Sequence, residues 1–470
     1  MGHGPFSLRL GSLSEVYSTQ RRKGAKTQRN HSSLRPCAFA FFFFLAQLQR
    51  KLGLGSAVAL VVGEVIAVGI FLTPAGMAKA LGSPFWLLVV WLLMGAMALC
   101  GALCYGELAA RSPEAGGGYI YLREAYGQRL AFLYGWKCFL VMDPGITAAL
   151  AVGLGSYAGY LVKLSLWGEK AIAVGAITVL TLVNIRGVEL GARVMRILTV
   201  LKLGALATIA MWAVLFGLGN WTNFMPFVSR RPGSEPCAAA FATALVGAFF
   251  AFGGWWDASK LAGEVRDPER TLPRALALGV VTVTFVYITI SAVFIYLVPM
   301  ERVTSGETFA AQAGEALFGR SGGIVFSLVV IVSILGSLAS LMLAAPRVYY
   351  AMARDGIFFT SIARLHPKFG TPWLAITLQA VMAALLALSG SFGQIVAYFV
   401  FVTVIFIALT VAAVFRLHRR VLPACVFLAL VSLLLVLVGS NNPKQALLGM
   451  AVVALGAPVY YMFKKKEHQP

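Results

Sequence analysis

Apolar runs of roughly 17–25 residues recur along this chain from residue 54 almost to its end, the length at which a helix crosses the hydrocarbon core of a bilayer. Inside that core there is no water to satisfy backbone N–H and C=O groups. Only helices and closed barrels can span it. The runs are continuous rather than alternating apolar and polar, so they read as helices and not as barrel strands. Composition agrees: 59% of residues are hydrophobic and only 12% are charged, about half the charged fraction of a soluble chain. The mean hydropathy is +0.82. The expected fold class is an all-α membrane protein.

Twelve transmembrane helices are expected, near 54–74, 84–106, 129–161, 171–185, 197–217, 238–259, 275–299, 321–345, 373–389, 394–415, 421–439 and 445–463. The formal net charge of +21 first suggests a nucleic-acid partner, but its placement excludes one. Of the 39 Lys and Arg residues, 29 fall in the tails and the loops on their side, and 8 in the loops opposite. That asymmetry is the positive-inside pattern, and it puts both termini in the cytoplasm. The expected location is the plasma membrane or a bacterial inner membrane.

Residues 1–51 read as a basic cytoplasmic tail, Ser- and Gln-rich, without periodicity and disordered. The apolar stretch Ala38 to Ala46 is too short to span. No small-residue cleavage pattern follows it before Gln47–Lys51, which argues against a signal peptide. An upstream extension of the natural reading frame is an alternative origin for this segment. Of six cysteines, Cys100 and Cys104 share one helix face and read as packing residues. No metal-ligand spacing and no cofactor motif occurs. Gly116-Gly117-Gly118 is not a phosphate cradle, because no strand precedes it and no Lys-Ser/Thr follows.

Two spans carry interruptions. Span 1 contains Gly63 and Gly69, followed by Thr73-Pro74; span 6 contains Gly247, Gly253 and Gly254 before a charged loop. Glycine in a membrane helix is often only a packing residue. Glycine-interrupted spans at matching positions of two halves instead point to a transporter's binding site. If spans 1–5 and 6–10 are repeats, each interrupted helix opens its repeat. Five spans per repeat is odd, so the second repeat is inverted. The expected organisation is 52–217 for the first repeat, 238–415 for the second, 421–463 for two peripheral helices and 464–470 for a cytoplasmic tail.

Several stretches resemble the amino acid–polyamine–organocation superfamily, with its LeuT-like five-plus-five inverted repeat and discontinuous helices 1 and 6. They are Tyr105 to Leu122 with its Gly-Gly-Gly-Tyr, Asn184-Ile185-Arg186-Gly187-Val188, Val200-Leu201-Lys202-Leu203, Phe250-Ala251-Phe252-Gly253-Gly254-Trp255, and Glu264 to Arg274. The likeness runs from about residue 52 to about 415, and span 6 looks most like bacterial amino acid permeases and L-type transporters. The resemblance implies that the substrate carboxylate meets the N–H groups of Ala67, Val68 and Gly69. It implies that the amine meets the carbonyls of Val65, Phe250 and Gly253. Phe250 would lie over the ligand as a gate, with Phe252 and Gly254 completing the site. Freed N–H groups at a helix start attract an anion, and freed carbonyls at a helix end attract an ammonium. Where the family commonly reads Gly-Ser-Gly in span 1, this chain reads Ala67-Val68-Gly69. That departure keeps a carrier of polyamines or other organic cations in view. The animal L-type transporters are tied to a glycoprotein through a cysteine between spans 3 and 4. The corresponding loop here, Val162 to Lys170, has none, so no disulfide-linked heavy subunit is expected.

Five ionisable residues fall within spans: Glu64, Lys137, Asp143, Lys202 and Asp257. Such charges are costly and mark functional sites by default. Lys202 matches a lysine found in many relatives. It either exchanges a proton, stands in for a sodium ion between spans 1 and 8, or makes a permanent structural contact. Glu64 either holds a cationic side chain, joins a proton relay or pairs with a lysine. Asp143-Pro144-Gly145 reads as a kink, with Asp143 six residues from Lys137 and so not its partner. Asp257 faces either the cavity or the cytoplasmic gate. Trp255 and Trp256 either shape the pocket or mark the membrane interface. Gly263 to Arg274 reads as a cytoplasmic hinge with gate salt bridges, stiffened by Pro268 and Pro273.

The expected function is secondary active transport of amino acids by alternating access, as proton symport or as exchange. A polyamine carrier and a non-transporting membrane sensor are the alternatives. No enzyme is expected, since no catalytic constellation appears.

Overall fold

The computed structural model describes residues 48–299, 309–389, 392–417, 421–441, 447, 450–451 and 453–467. The tail expected over residues 1–51 lies outside them up to residue 47, as do parts of span 12 and the last three residues. The described residues are helical, with one isolated bridge between Leu52 and Val265. Among the described residues, seven helical segments are long and apolar enough to cross a membrane, and a bent pair makes an eighth. Three shorter apolar helices lie at 373–389, 401–416 and 421–437.

The first span is that bent pair. Helix α1 (Leu54–Val65) and α2 (Gly69–Leu81) meet at 47°. Gly82 ends α2 in the left-handed conformation that glycine adopts without strain. Ser83 then caps α3 (Pro84–Arg111), with proline in its first turn, where no N–H is needed. Short helices α4 (Gly118–Tyr126) and α5 (Gln128–Lys137) follow. A π-helical turn, Cys138–Met142, joins α5 to α6 (Asp143–Val162). The expected kink at Asp143-Pro144 is therefore absorbed by a π-bulge just before the proline.

Helices α7 (Leu166–Ile185) and α8 (Val188–Leu215) complete the first half. Their exposed faces carry Val179, Leu182, Val200, Leu201 and Met211, a surface suited to lipid rather than water. Helix α9 (Cys237–Phe252) ends at Gly253-Gly254, and a 3-10 helix, Trp255–Glu264, continues it. Helix α10 (Pro268–Leu297) begins earlier than the sequence suggests. Pro268 and Pro273 lie inside its first turns instead of stiffening a loop. Pro268 is tolerated because first-turn N–H groups have no intrahelical partner, whereas Pro273, in the second turn, forgoes one backbone hydrogen bond. The chain continues through α11 (Phe309–Phe318), α12 (Gly322–Ala344) and α13 (Pro346–Arg354). It ends in α14 (Trp373–Ser389), α15 (Phe392–Ala412), α16 (Val421–Asn441) and α17 (Gly456–Glu467).

The two interrupted spans sit at the centre. Helix α2 packs on α9, while α1 packs on the 3-10 helix. Each half of one span thus meets the opposite half of the other. Helices α3, α8, α10 and α12 surround the pair.

Candidate functional site

In the first span, residues 66–68 leave the α-helix, and several of the backbone groups released there have partners. The Ile66 N–H still donates to Val62 O at 3.0 Å, and the Ala67 N–H turns back to Val65 O at 2.8 Å. The carbonyls of Gly63 and Ile66 point instead at the Lys202 ammonium, at 2.8 and 2.5 Å. Ser333 O accepts from the same ammonium at 2.9 Å, and Ser337 Oγ lies 3.3 Å from it. Ser337 Oγ also lies 2.7 Å from Gly63 O. An added Cβ on Gly336 would come 2.8 Å from Lys202 Cε, so the glycine makes room for the lysine. A lysine has three donors and no acceptor, and all three are engaged between span 1 and α12. Lys202 is fully buried.

The two breaks are pinned to each other. Tyr287 Oη lies 2.8 Å from Val65 O and 2.7 Å from Ala251 O. Its single proton serves one carbonyl at a time. A Cβ on Gly69 would lie 2.7 Å from the backbone of Ala251, so only glycine permits this crossing. In the second span, Gly254 has φ of +107°, and a Cβ there would lie 2.8 Å from Glu64 Cγ.

A cavity of about 90 Å³ opens between the breaks. Backbone from Val65, Ala67, Val68 and Gly69 lines one side, and Phe250, Gly253 and Gly254 line the other. The first turn of α2 starts at Gly69, so its leading N–H groups have no partner inside the helix. The remaining lining is mostly apolar: Ile146, Leu150, Phe249, Trp256 and Leu341, with Thr403 and Glu64 as polar members.

Behind the cavity lies a buried charge cluster. The Lys260 ammonium donates to Asp143 Oδ1 at 3.0 Å and to Asp257 Oδ2 at 2.9 Å. Tyr349 donates to Asp143 Oδ2 at 3.0 Å. All four are buried, and Glu64 lies against Gly254, three residues before Asp257. Lys137 takes no part in these contacts: its ammonium approaches Met142 Sδ and sits 4.8 Å from the Tyr134 ring centre.

Ion pairs tie the elements together at the end of the bundle that carries α4 and the start of α10. Arg347 Nε and Nη2 donate to the two oxygens of Glu264 at 3.0 and 3.1 Å, both residues being buried. Glu264 O accepts from the backbone N–H groups of Lys51 and Leu52 at 2.8 and 2.9 Å. Arg123 donates to Asp355, which also accepts from the Tyr119 hydroxyl at 2.6 Å. Burial, reinforced by the Asp355 carboxylate, holds that hydroxyl far above its ordinary range, so it remains a donor.

Known proteins place this architecture. The family model for amino acid permeases matches residues 52–462. The chain belongs to the amino acid permease family. Among its relatives is the serine/threonine exchanger SteT of Bacillus subtilis (strain 168). The two are 32% identical over 439 residues, covering 89% of this chain and 98% of the relative. The human large neutral amino acids transporter small subunit 2 is 28% identical, covering 90% and 82%. The human cystine/glutamate transporter is 27% identical, covering 89% and 86%.

Seven of the eight expected substrate residues of this permease line the cavity: Val65, Ala67, Val68, Gly69, Phe250, Gly253 and Gly254. Phe252 does not; it is buried against Trp91 and Tyr287. Of the three carbonyls expected to meet an amine, Val65 O already accepts from Ala67 and neighbours Tyr287, and Phe250 O accepts from Gly253 at 3.2 Å. Asp143 and Asp257 lie behind the cavity rather than on it. Trp256 shapes the pocket, whereas Trp255 packs on Tyr105 and Phe427.

Sequence reasoning missed two side chains of the candidate site. Lys260 reads as one charge of a cytoplasmic loop, yet it is buried; its i, i+3 spacing from Asp257 was the available signal. Tyr287 sits within an uncharged span, where a tyrosine has no distinguishing pattern.

Proposed function

We propose that this permease moves amino acids across the membrane by alternating access, binding them between the breaks of spans 1 and 6. The carrying observation is the cavity itself, with a helix start at Gly69 on one wall and the end of α9 at Phe250 to Gly254 on the other. The α-carboxylate meets the N–H groups around Ala67 to Gly69, and the α-amine meets carbonyls of Val65, Phe250 and Gly253. This is the pairing that helix-end charges favour. The mostly apolar lining supports a neutral side chain. The names of the relatives, all amino acid exchangers or transporters, support amino acids over polyamines.

The fold in this reading has twelve spans in two inverted repeats, with both termini in the cytoplasm. Two observations support the inversion: the interrupted spans at matching positions, and the packing of each half on the opposite half of its counterpart. With the charge asymmetry of the loops, the closed end carrying Glu264 and Arg347 is cytoplasmic. No cysteine lies between α6 and α7, which supports a permease that works without a disulfide-linked heavy subunit. Lys202 acts as a fixed cation that completes the broken helix.

Uptake of radiolabelled amino acids into proteoliposomes tests the proposal. Competition by neutral L-amino acids and not by putrescine is the expected result. Inhibition by putrescine with no effect of amino acids would support the polyamine reading. Ligand-induced thermal stabilisation without flux or exchange would support a sensor.

A further inference from the structure

Glu64 ends the first half of span 1, and Asp257 lies in the second half of span 6. The two half-spans pack together, and a Cβ on Gly254, three residues before Asp257, would lie 2.8 Å from Glu64 Cγ. Glu64 Oε2 and Asp257 Oδ1 are both buried without a donor from the protein. Two neighbouring buried carboxylates repel, and the repulsion disappears when one of them is protonated. Glu64 borders the cavity, but its Oε2 atom and Asp257 Oδ1 are turned away from solvent, and Asp257 is 0% exposed.

We propose that Glu64 and Asp257 together hold one exchangeable proton that latches α1 onto the 3-10 helix and closes the cavity at that end. With the proton in place, a carboxyl O–H donates across the gap between the two half-spans. When it leaves to water, two carboxylates face each other and push α1 away. The surrounding charged and titratable groups hold the pair in place. Lys260 lies on the same 3-10 helix and Asp143 on α6; Lys202 comes from α8 and Tyr105 from α3; Tyr349 comes from α13, with Lys137 and Cys138 before α6. Lys260 already bridges Asp143 and Asp257, so it neutralises one carboxylate's worth of charge and leaves the Glu64 side for the proton.

The inference deepens the transport reading but can fail separately from it. Purified full-length protein is examined between pH 5 and 9 in two ways: thermal unfolding without substrate, and amino acid exchange in proteoliposomes with equal pH on both sides. A group that holds its proton in the folded state stabilises at low pH, and that stability is lost as pH rises. The wild type is expected to lose thermal stability as pH rises, and its exchange rate is expected to change by up to about tenfold per pH unit across the same step. Glu64→Gln keeps a donor toward Asp257 and is expected to flatten both profiles. Asp257→Asn serves if the first variant does not fold, with the same expectation. A flat wild-type profile, or a variant that keeps the wild-type profile, overturns the latch. Loss of cationic substrates alone in Glu64→Gln, with a flat wild-type profile, assigns Glu64 to an ammonium group and also overturns it. Absence of all amino acid binding and exchange, with the pH-dependent unfolding intact and flattened in the variants, overturns the transport reading and leaves the latch standing.

Discussion

The Lys202 ammonium lies 2.8 Å from the carbonyl oxygen of Gly63, at the point where the first span stops being a helix. The same ammonium reaches Ile66 O, so one side chain satisfies two carbonyls that a broken helix would leave orphaned in hydrocarbon. That is why residues 66–68 can depart from helical geometry without a glycine among them.

Replacing Lys202 by Met is expected to strand these carbonyls. A buried polar group that loses its partner costs about 1–3 kcal/mol, so the variant should unfold at a distinctly lower temperature and lose transport. Lys202→Arg is not expected to rescue it, because a planar guanidinium does not fit the three-carbonyl geometry that a compact ammonium fills. Thermal unfolding in detergent together with proteoliposome uptake checks both statements.

The Tyr287 hydroxyl joins the breaks by approaching Val65 O and Ala251 O. Tyr287→Phe should cost about 1–2 kcal/mol in stability, one buried hydrogen bond with little change in shape. Because both carbonyls border the cavity, substrate affinity should fall as well. A thermal-shift titration with a transported amino acid reads the two effects separately.

The Glu264–Arg347 pair is buried and bidentate. Removing one partner of such a pair typically costs 3–5 kcal/mol, since the other charge is left uncompensated; replacing both by apolar residues is far milder. Arg347→Met alone should therefore be more damaging than Arg347→Met with Glu264→Leu. Melting temperatures of both single variants and the double variant test this. A double variant no better than the singles would contradict it.

Much of the fold was legible because bilayer length and hydropathy leave few choices. The glycines at 253 and 254 also marked the end of α9 accurately. In span 1 the interruption was expected around Ala67 to Gly69, and the helix breaks at Ile66 to Val68; what was not legible is that the side chains satisfying it come from α8, α10 and α12. Lys260 was read as a loop charge because a charged run after an apolar one usually meets water; here a 3-10 helix carries it back among carboxylates. Pro273 misled in the same way, because the helix begins before it.

Gly254→Ala should impair both folding and transport. A side chain at φ +107° is strained, and its Cβ would meet Glu64 Cγ at 2.8 Å. Gly253→Ala should be far milder, because Gly253 has φ of −57° and a Cβ there would meet nothing closer than 3.3 Å. Expression level, melting temperature and uptake rank the two.

The central claim is that an amino acid occupies the space between the two breaks and is carried through it. Counterflow of a labelled neutral amino acid into preloaded proteoliposomes, with wild type and Gly253→Leu side by side, tests it most directly. A leucine side chain at that position fills the cavity from its wall. Robust counterflow by the wild type, and its loss in a Gly253→Leu protein that still inserts and folds, is the expected result. Undiminished counterflow by the variant would contradict the account.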